Sequence, residues 1–322
     1  MDNLPLSGLR VLDFSWIIAG PTAARHLALM GAEVIKIGSS RRPDPSSRSA
    51  AFQVYNQSKE YCSLNLSTQE GLEIAKELVT TCDVVIENFA AGVFERIGLD
   101  YETLTTLRPD VILVSSAGTG HTGPDKDYVA YGSLLQHYTG WNTISGFGNA
   151  EPIKGGLWAD PWVGMELAMI TIAATNHRMK TGKGQYIDFS MAESLTASIP
   201  TGLLEYQMTN KLPTPIGNDD AIKCPHGLYK CKGYDEWIAI SIQNEVQWEN
   251  LCNLLGKPEI FENPIFSSPE ARRENRIEID EEINKFTSSL GAYEAMHIFQ
   301  NCGIPSGPSL NISEAYLDPH NS

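Results

Sequence analysis

Along the first 190 residues, short apolar runs closed off by glycine, serine or proline alternate with longer mixed stretches. Leu9–Phe14 lies between Gly8 and Ser15, a helical stretch from Pro21 to Met30 ends at Gly31, and Ala32–Ile37 is a second apolar run. Strand, helix and strand in that order predict a βαβ unit with two parallel strands. Arg41–Ser49 reads as a polar, proline-containing loop. The alternation resumes with a strand at Ser63–Leu66, a helix over Thr68–Thr80, a strand at Asp83–Phe89, helices near Val93–Ile97 and Tyr101–Leu107, and a strand at Asp110–Gly118. This predicts an α/β fold: a doubly wound, mostly parallel, Rossmann-like sheet with helices on both faces.

Gly155–Met191 stands out from that rhythm. It reads as a turn, a carboxylate at Asp160, a long helix, a glycine corner and a strand, Gln185–Met191, that joins the same sheet. Pro161 suits a first helical turn, and Asp160 before it reads as an N-cap. From Trp162 to Ala174 only Glu166 and Thr171 interrupt the apolar run, too continuous for a helix with one wet face, so the helix is expected to be buried. His177, Arg178 and Lys180 suit its C-terminus, with Gly182 as the stop.

Past Ser198 the texture changes. Pro200, Pro213, Pro215, Gly217 and Asn218 predict a turn-rich linker over 200–217, between a large domain at 1–199 and a smaller α+β domain at 218–322. In the latter, His226–Gly233 and Glu236–Ile242 read as two short strands, followed by helices near Glu245–Leu255, Ser268–Ser289 and Tyr293–Asn301. The charge run over 270–282 reads as a solvated helix face.

A formal net charge of −15 argues against nucleic acid or an anionic membrane as partner, since either would be repelled. The N-terminus has no signal-peptide pattern and no apolar run reaches membrane-spanning length, so a cytoplasmic protein is expected. Six cysteines without ligand spacing read as reduced thiols, and no metal is expected. No GxGxxG follows the first strand, Gly146-Phe147-Gly148 lies in a polar loop, and no Walker motif is present, which leaves nicotinamide and nucleoside-triphosphate chemistry without support.

The D-x-x-x-G start of the long helix, with R-x-x-T-G-x-G-Q and I-D-F-S-M after it, resembles the central motif of the class III coenzyme A transferases, the formyl-CoA and carnitine CoA-transferase family. The opening LSGLRVLDFSWIIAGPTAARHLALMGAEVIKI, the block IENFAAGVFERIGLDYETLTTLRPDVILVSSAGTG and the segment GNDDAIKCPHGLYKCKGYDEWIAI are similar to further family blocks, so the likeness covers most of the chain. It implies a CoA transferase working on acyl-CoA and a small carboxylic acid, with Asp160 as covalent nucleophile. CoA contacts would fall on Ala19, Leu64, Asn65, Asn88, Phe89, Arg96 and Tyr131. It also implies an interlocked homodimer, or a heteromer with a related subunit.

Arg96 is the most plausible phosphate partner in that set, because a guanidinium grips phosphate oxygens bidentately. The chain departs from the family at Gly38-Ser39, where Arg41 or Arg42 would replace an adenine-side contact, and at Ala90. The return segment that follows L-x-D-P in the family has no counterpart after Pro319. That departure keeps a non-catalytic or truncated partner subunit as an alternative. A 2-methylacyl-CoA racemase is a second alternative, but where that branch carries G-H-D this chain has Ala130-Tyr131-Gly132. Trp16, Ile17, Ile18, Trp158 and Trp162 beside the expected site read either as an apolar acyl pocket or as core.

Overall fold

The computed structural model describes residues 4–148 and 150–321, which form two compact units: Met1–Ser145 with Glu151–Thr214, and Gly146–Ala150 with Pro215–Ser322. The first unit runs β1 (Arg10–Asp13), α1 (Ala19–Leu29), β2 (Glu33–Gly38), α2 (Ala50–Tyr55), β3 (Glu60–Ser63), α3 (Gln69–Thr81), β4 (Val84–Glu87), α4 (Val93–Ile97), α5 (Tyr101–Leu107), β5 (Ile112–Ala117), α6 (Gly132–Tyr138), α7 (Ala159–Thr181), β6 (Gln185–Ser190), α8 (Met191–Ala197) and α9 (Pro200–Thr209). Its six strands form one sheet in the order β3-β2-β1-β4-β5-β6, and every pairing is parallel.

The central strands β4 and β5 are buried along their whole length, as expected of near-continuous apolar strands covered on both faces. One core packs α1 and α7 on the sheet through Leu27, Val163 and Leu167; the other packs Val79, Phe94 and Leu104 on the opposite face. Burying each such side chain stabilises the fold by roughly 1.5–3 kcal/mol. The helices α1 and α7 touch at Gly164, where a Cβ would lie 2.7 Å from the Ala19 carbonyl oxygen and 2.6 Å from Thr22 Cβ. Any side chain at 164 would push the two helices apart.

Several expectations shift. The third strand is Glu60–Ser63, three residues earlier than its apolar signature. It is an edge strand and largely exposed, so its residues carry little hydrophobic pattern. Residues 50–55 beside the expected polar loop form α2, and the expected turn-rich linker holds α9; neither helix buries a residue.

The helix α7 is capped by Trp158 in helical conformation, so Asp160 lies inside the first turn and caps nothing. Nor is α7 buried all round, for Trp162, Met165 and Met169 are 39%, 49% and 64% exposed along one stripe. It stops at Gly182, whose φ of 69° is the left-handed conformation expected of a helix-ending glycine.

In the second unit β7 (His226–Lys230) and β8 (Trp237–Ser241) form the expected antiparallel hairpin. The chain continues through α10 (Glu245–Leu254), α11 (Pro258–Glu262), α12 (Pro269–Glu274), α13 (Arg276–Thr287), α14 (Ala292–Asn301), β9 (Ser306–Pro308) and α15 (Ile312–Leu317), with β9 pairing antiparallel to β8. The expected single helix over 268–289 breaks at Asn275. Its charge run is not wholly solvated: Arg272 is buried, pairs with Glu245 through both terminal nitrogens and stacks 4.9 Å over Trp248.

Candidate active site

Asp160 emerges in the first turn of α7 and Gly164, one turn further along the same face, meets the first turn of α1. No side chain or backbone group among the described residues donates a hydrogen bond to its carboxylate. The carboxylate lies against the backbone of Gly132 at the start of α6. A helix start favours the ionised form of a carboxylate, but burial pushes this one up to about 6. It remains mostly ionised at neutral pH, and it is poorly solvated.

The loop before it is set by Gln136, a fully buried residue whose Nε2 donates to the Gly156 carbonyl at 2.7 Å. Trp158 rests against Trp141, ring centroids 4.7 Å apart, and Trp141 Nε1 donates to Ser198 Oγ at 2.7 Å.

The turn from Ser15 to Gly20 links α1 to a second feature, a cavity of about 810 Å³. Ile17 takes φ 68°, a conformation that costs a β-branched residue of order 1–3 kcal/mol. Three braces hold it. Asn88 accepts from Trp16 N at 2.6 Å and donates to the Trp16 carbonyl at 2.9 Å, while Asp44 accepts from Ile17 N at 3.0 Å. Below them, Asp13 accepts from Ser15 N and from Lys59, which also donates to the Pro21 carbonyl. Burial works against the Asp13 charge, but Lys36 and Lys59 outweigh it and hold the carboxyl below its usual range.

The cavity brings together four of the residues expected to contact CoA: Leu64, Asn65, Phe89 and Arg96. Ala19 does not line it and is buried at the start of α1, Asn88 spends its amide on Trp16, and Tyr131 stands 58% exposed as the N-cap of α6. Three guanidinium groups reach the cavity, those of Arg41, Arg42 and Arg96, and none of them has a carboxylate partner among the described residues. Arg42 lies 5.5 Å over the Trp16 ring, which in turn meets Phe89 edge-on at 5.4 Å. Unpaired arginines are conspicuous in a chain carrying −15 overall, and their stacked aromatic neighbours suit a flat base beside a polyanion.

Sequence reasoning left three contributors unseen: Asp44, the Trp16–Arg42 stack and Gly132. Asp44 and Gly132 act on residues 27 and 28 positions away, beyond any local pattern.

At the far end of β4, Glu87 is fully buried, accepts from Phe89 N at 2.8 Å and lies 3.5 Å from His121 Nε2. His121 Nδ1 in turn lies 3.1 Å from Asp188. Burial pushes the Glu87 carboxyl up to about 7, with Ser115 and Phe89 N bonding against that shift. The cluster ties the Asn88-Phe89 turn, which lines the cavity, to the turn at Gly123-Pro124.

The six-stranded parallel sheet thus carries an arginine-lined cavity and, at the start of α7, a half-buried carboxylate that accepts no hydrogen bond among the described residues. The chain belongs to CoA-transferase family III, whose profile it matches over residues 6–322, and it is a class III CoA-transferase. It is 31% identical to the succinate–glutarate CoA-transferase of Agrobacterium fabrum over 98% of this chain and 82% of that protein. It is also 31% identical to the formyl-CoA:oxalate CoA-transferase of Escherichia coli, over 98% of this chain and 83% of that one. Among solved structures, a CAIB/BAIF family protein from Brucella suis superposes with a TM-score of 0.91 at 29% identity, covering 99% of this chain and 88% of that one.

Proposed function

We propose that this chain moves coenzyme A from an acyl-CoA thioester to a carboxylic acid through a mixed anhydride on Asp160. The observation that carries the reading is the Asp160 carboxylate itself, half-buried, without a hydrogen-bond donor among the described residues and mostly ionised at neutral pH. Such a group is a stronger nucleophile than a hydrated one, because less solvent must be stripped before it attacks.

An Asp160 oxygen attacks the thioester carbonyl, the C–S bond breaks and CoA leaves as thiolate. The acceptor carboxylate then attacks the Asp160 carbonyl and releases the donor acid. Thiolate attack on the acceptor's carbonyl completes the new thioester and frees Asp160. The oxyanions formed need donors, and the first turn of α1, which has no side-chain cap and packs on α7 one turn from Asp160, supplies unpaired N–H groups.

In this reading the cavity holds the nucleotide end of CoA, with Leu64, Asn65 and Phe89 along it and Arg96 on a phosphate. Ala19 and Tyr131 contact the arm that runs toward Asp160, and Asn88 supports the turn in between. The aromatic pair of Trp141 and Trp158 fits an acid with an apolar portion.

Incubation with a 2-methylacyl-CoA in deuterated water, quenched with hydroxylamine, should convert Asp160 to its hydroxamate. The recovered acyl group should carry no deuterium at its α-carbon. Absence of the modified Asp160 peptide would sink the anhydride, and rapid α-deuteration would point to the racemase reading instead.

Trp162, Met165 and Met169 on α7, and Leu203, Leu204 and Met208 on α9, are exposed large apolar side chains of the kind that mark interaction surfaces when they gather. In our reading a second copy covers them, and light scattering should give about twice the 35.4 kDa chain mass; an active species of single-chain mass would refute the pairing.

A further inference from the structure

We infer that Gly132 positions the Asp160 carboxylate for attack, the side chain missing at 132 being the space the carboxylate occupies. A Cβ built on Gly132 would fall 2.8 Å from Oδ1, 3.0 Å from Cγ and 3.1 Å from Oδ2 of Asp160. All three carboxylate atoms therefore lie against one backbone position, closer than a methyl group allows. Gly132 opens α6, and its φ is outside the left-handed range that would call for glycine.

The contact matters because no hydrogen bond holds Asp160. A carboxylate that accepts nothing from the protein is aimed only by the walls around it, and on this side the wall is the Gly132 backbone. A methyl group at 132 would force the carboxylate to swing away about its two side-chain torsions. The fold survives such a swing, since only a side-chain end moves, but the oxygen leaves its line of attack. A misplacement of about 1 Å costs on the order of 10²-fold in rate.

The inference rests on Asp160 being the nucleophile, and the test separates the two claims. Gly132→Ala is expected to lower kcat about 10²-fold and to slow acylation of Asp160 equally, leaving KM for acyl-CoA and Kd for CoA within about threefold of wild type. If Asp160→Ala is inactive while Gly132→Ala keeps a kcat within about threefold of wild type, the positioning role is overturned and the nucleophile stands. If Asp160→Ala turns over normally, both fall.

Melting temperatures give a readout independent of activity. Ala at 132 should cost less stability in the Asp160→Ala background, where the space is vacated, than in the native chain; equal losses in both would overturn the contact.

Discussion

Asp160→Asn is expected to abolish CoA transfer while making the protein more stable above neutral pH. Asparagine keeps the shape that fits against Gly132 but cannot form an anhydride. Removing a nucleophile that acts as part of a unit costs about 10⁴-fold or more. Stability should move the other way. The folded-state value of about 6 is above the usual 3.8 of an aspartate, so the fold disfavours the charged form. That penalty is absent at low pH, where the carboxyl is protonated folded and unfolded alike. It grows as pH rises from 3.8 and levels off above about 6, on the order of 2–3 kcal/mol.

Asp160→Asn should therefore raise the melting temperature at pH 8 and leave it nearly unchanged at pH 4. The same desolvation makes the native carboxylate reactive, so the variant exchanges function for stability. A wild-type rate in the variant would remove Asp160 from the chemistry. An equal melting shift at both pH values would remove burial as the origin of its raised pKa.

Arg96→Ala is expected to weaken CoA binding by about 10- to 100-fold, the range for losing a charge-assisted hydrogen bond. Arg96 lines the cavity, sits over Gly92 with Nη1 2.8 Å from where a Cβ would be, and has no acidic partner among the described residues. A phosphate far from the reacting carbonyl is held equally in ground and transition states, so KM should rise with kcat little changed.

An acyl-pantetheine thioester, which lacks the nucleotide, should not distinguish variant from wild type. Calorimetry showing an unchanged Kd for CoA would exclude Arg96 from the site and leave Arg41 and Arg42 as the phosphate ligands. Because part of the attraction is screened, the difference between variant and wild type should narrow as salt is raised.

The alternation of apolar runs along the first 190 residues was enough to read a doubly wound parallel sheet, because strands buried on both faces leave no choice but continuous apolar sequence. It was not enough to place β3, an exposed edge strand without that signature, or α2 and α9, which bury nothing. For α7 the pattern misled in an instructive way. A helix apolar all round reads as buried, yet one stripe is open in the single chain, since sequence records that a face is apolar and not what covers it.

The candidate site divides along the same line. That Asp160 stands at the start of the long helix and Arg96 on the short helix after β4 was legible from local motifs. The direction of the Asp160 pKa was not: a helix start argues for lowering it, and only the burial created by α6 and α7 meeting decides for raising it. The strained turn at Ile17 is likewise tertiary, pinned by Asn88 and Asp44 from distant strand ends and loops. Sequence by itself determined the alternation of buried strands and covering helices and which groups carry charge, through short-range periodicity and residue chemistry. Only the tertiary structure decided which of those groups lose their water and what stands against them, because solvation and steric fit depend on chain segments brought together from far apart.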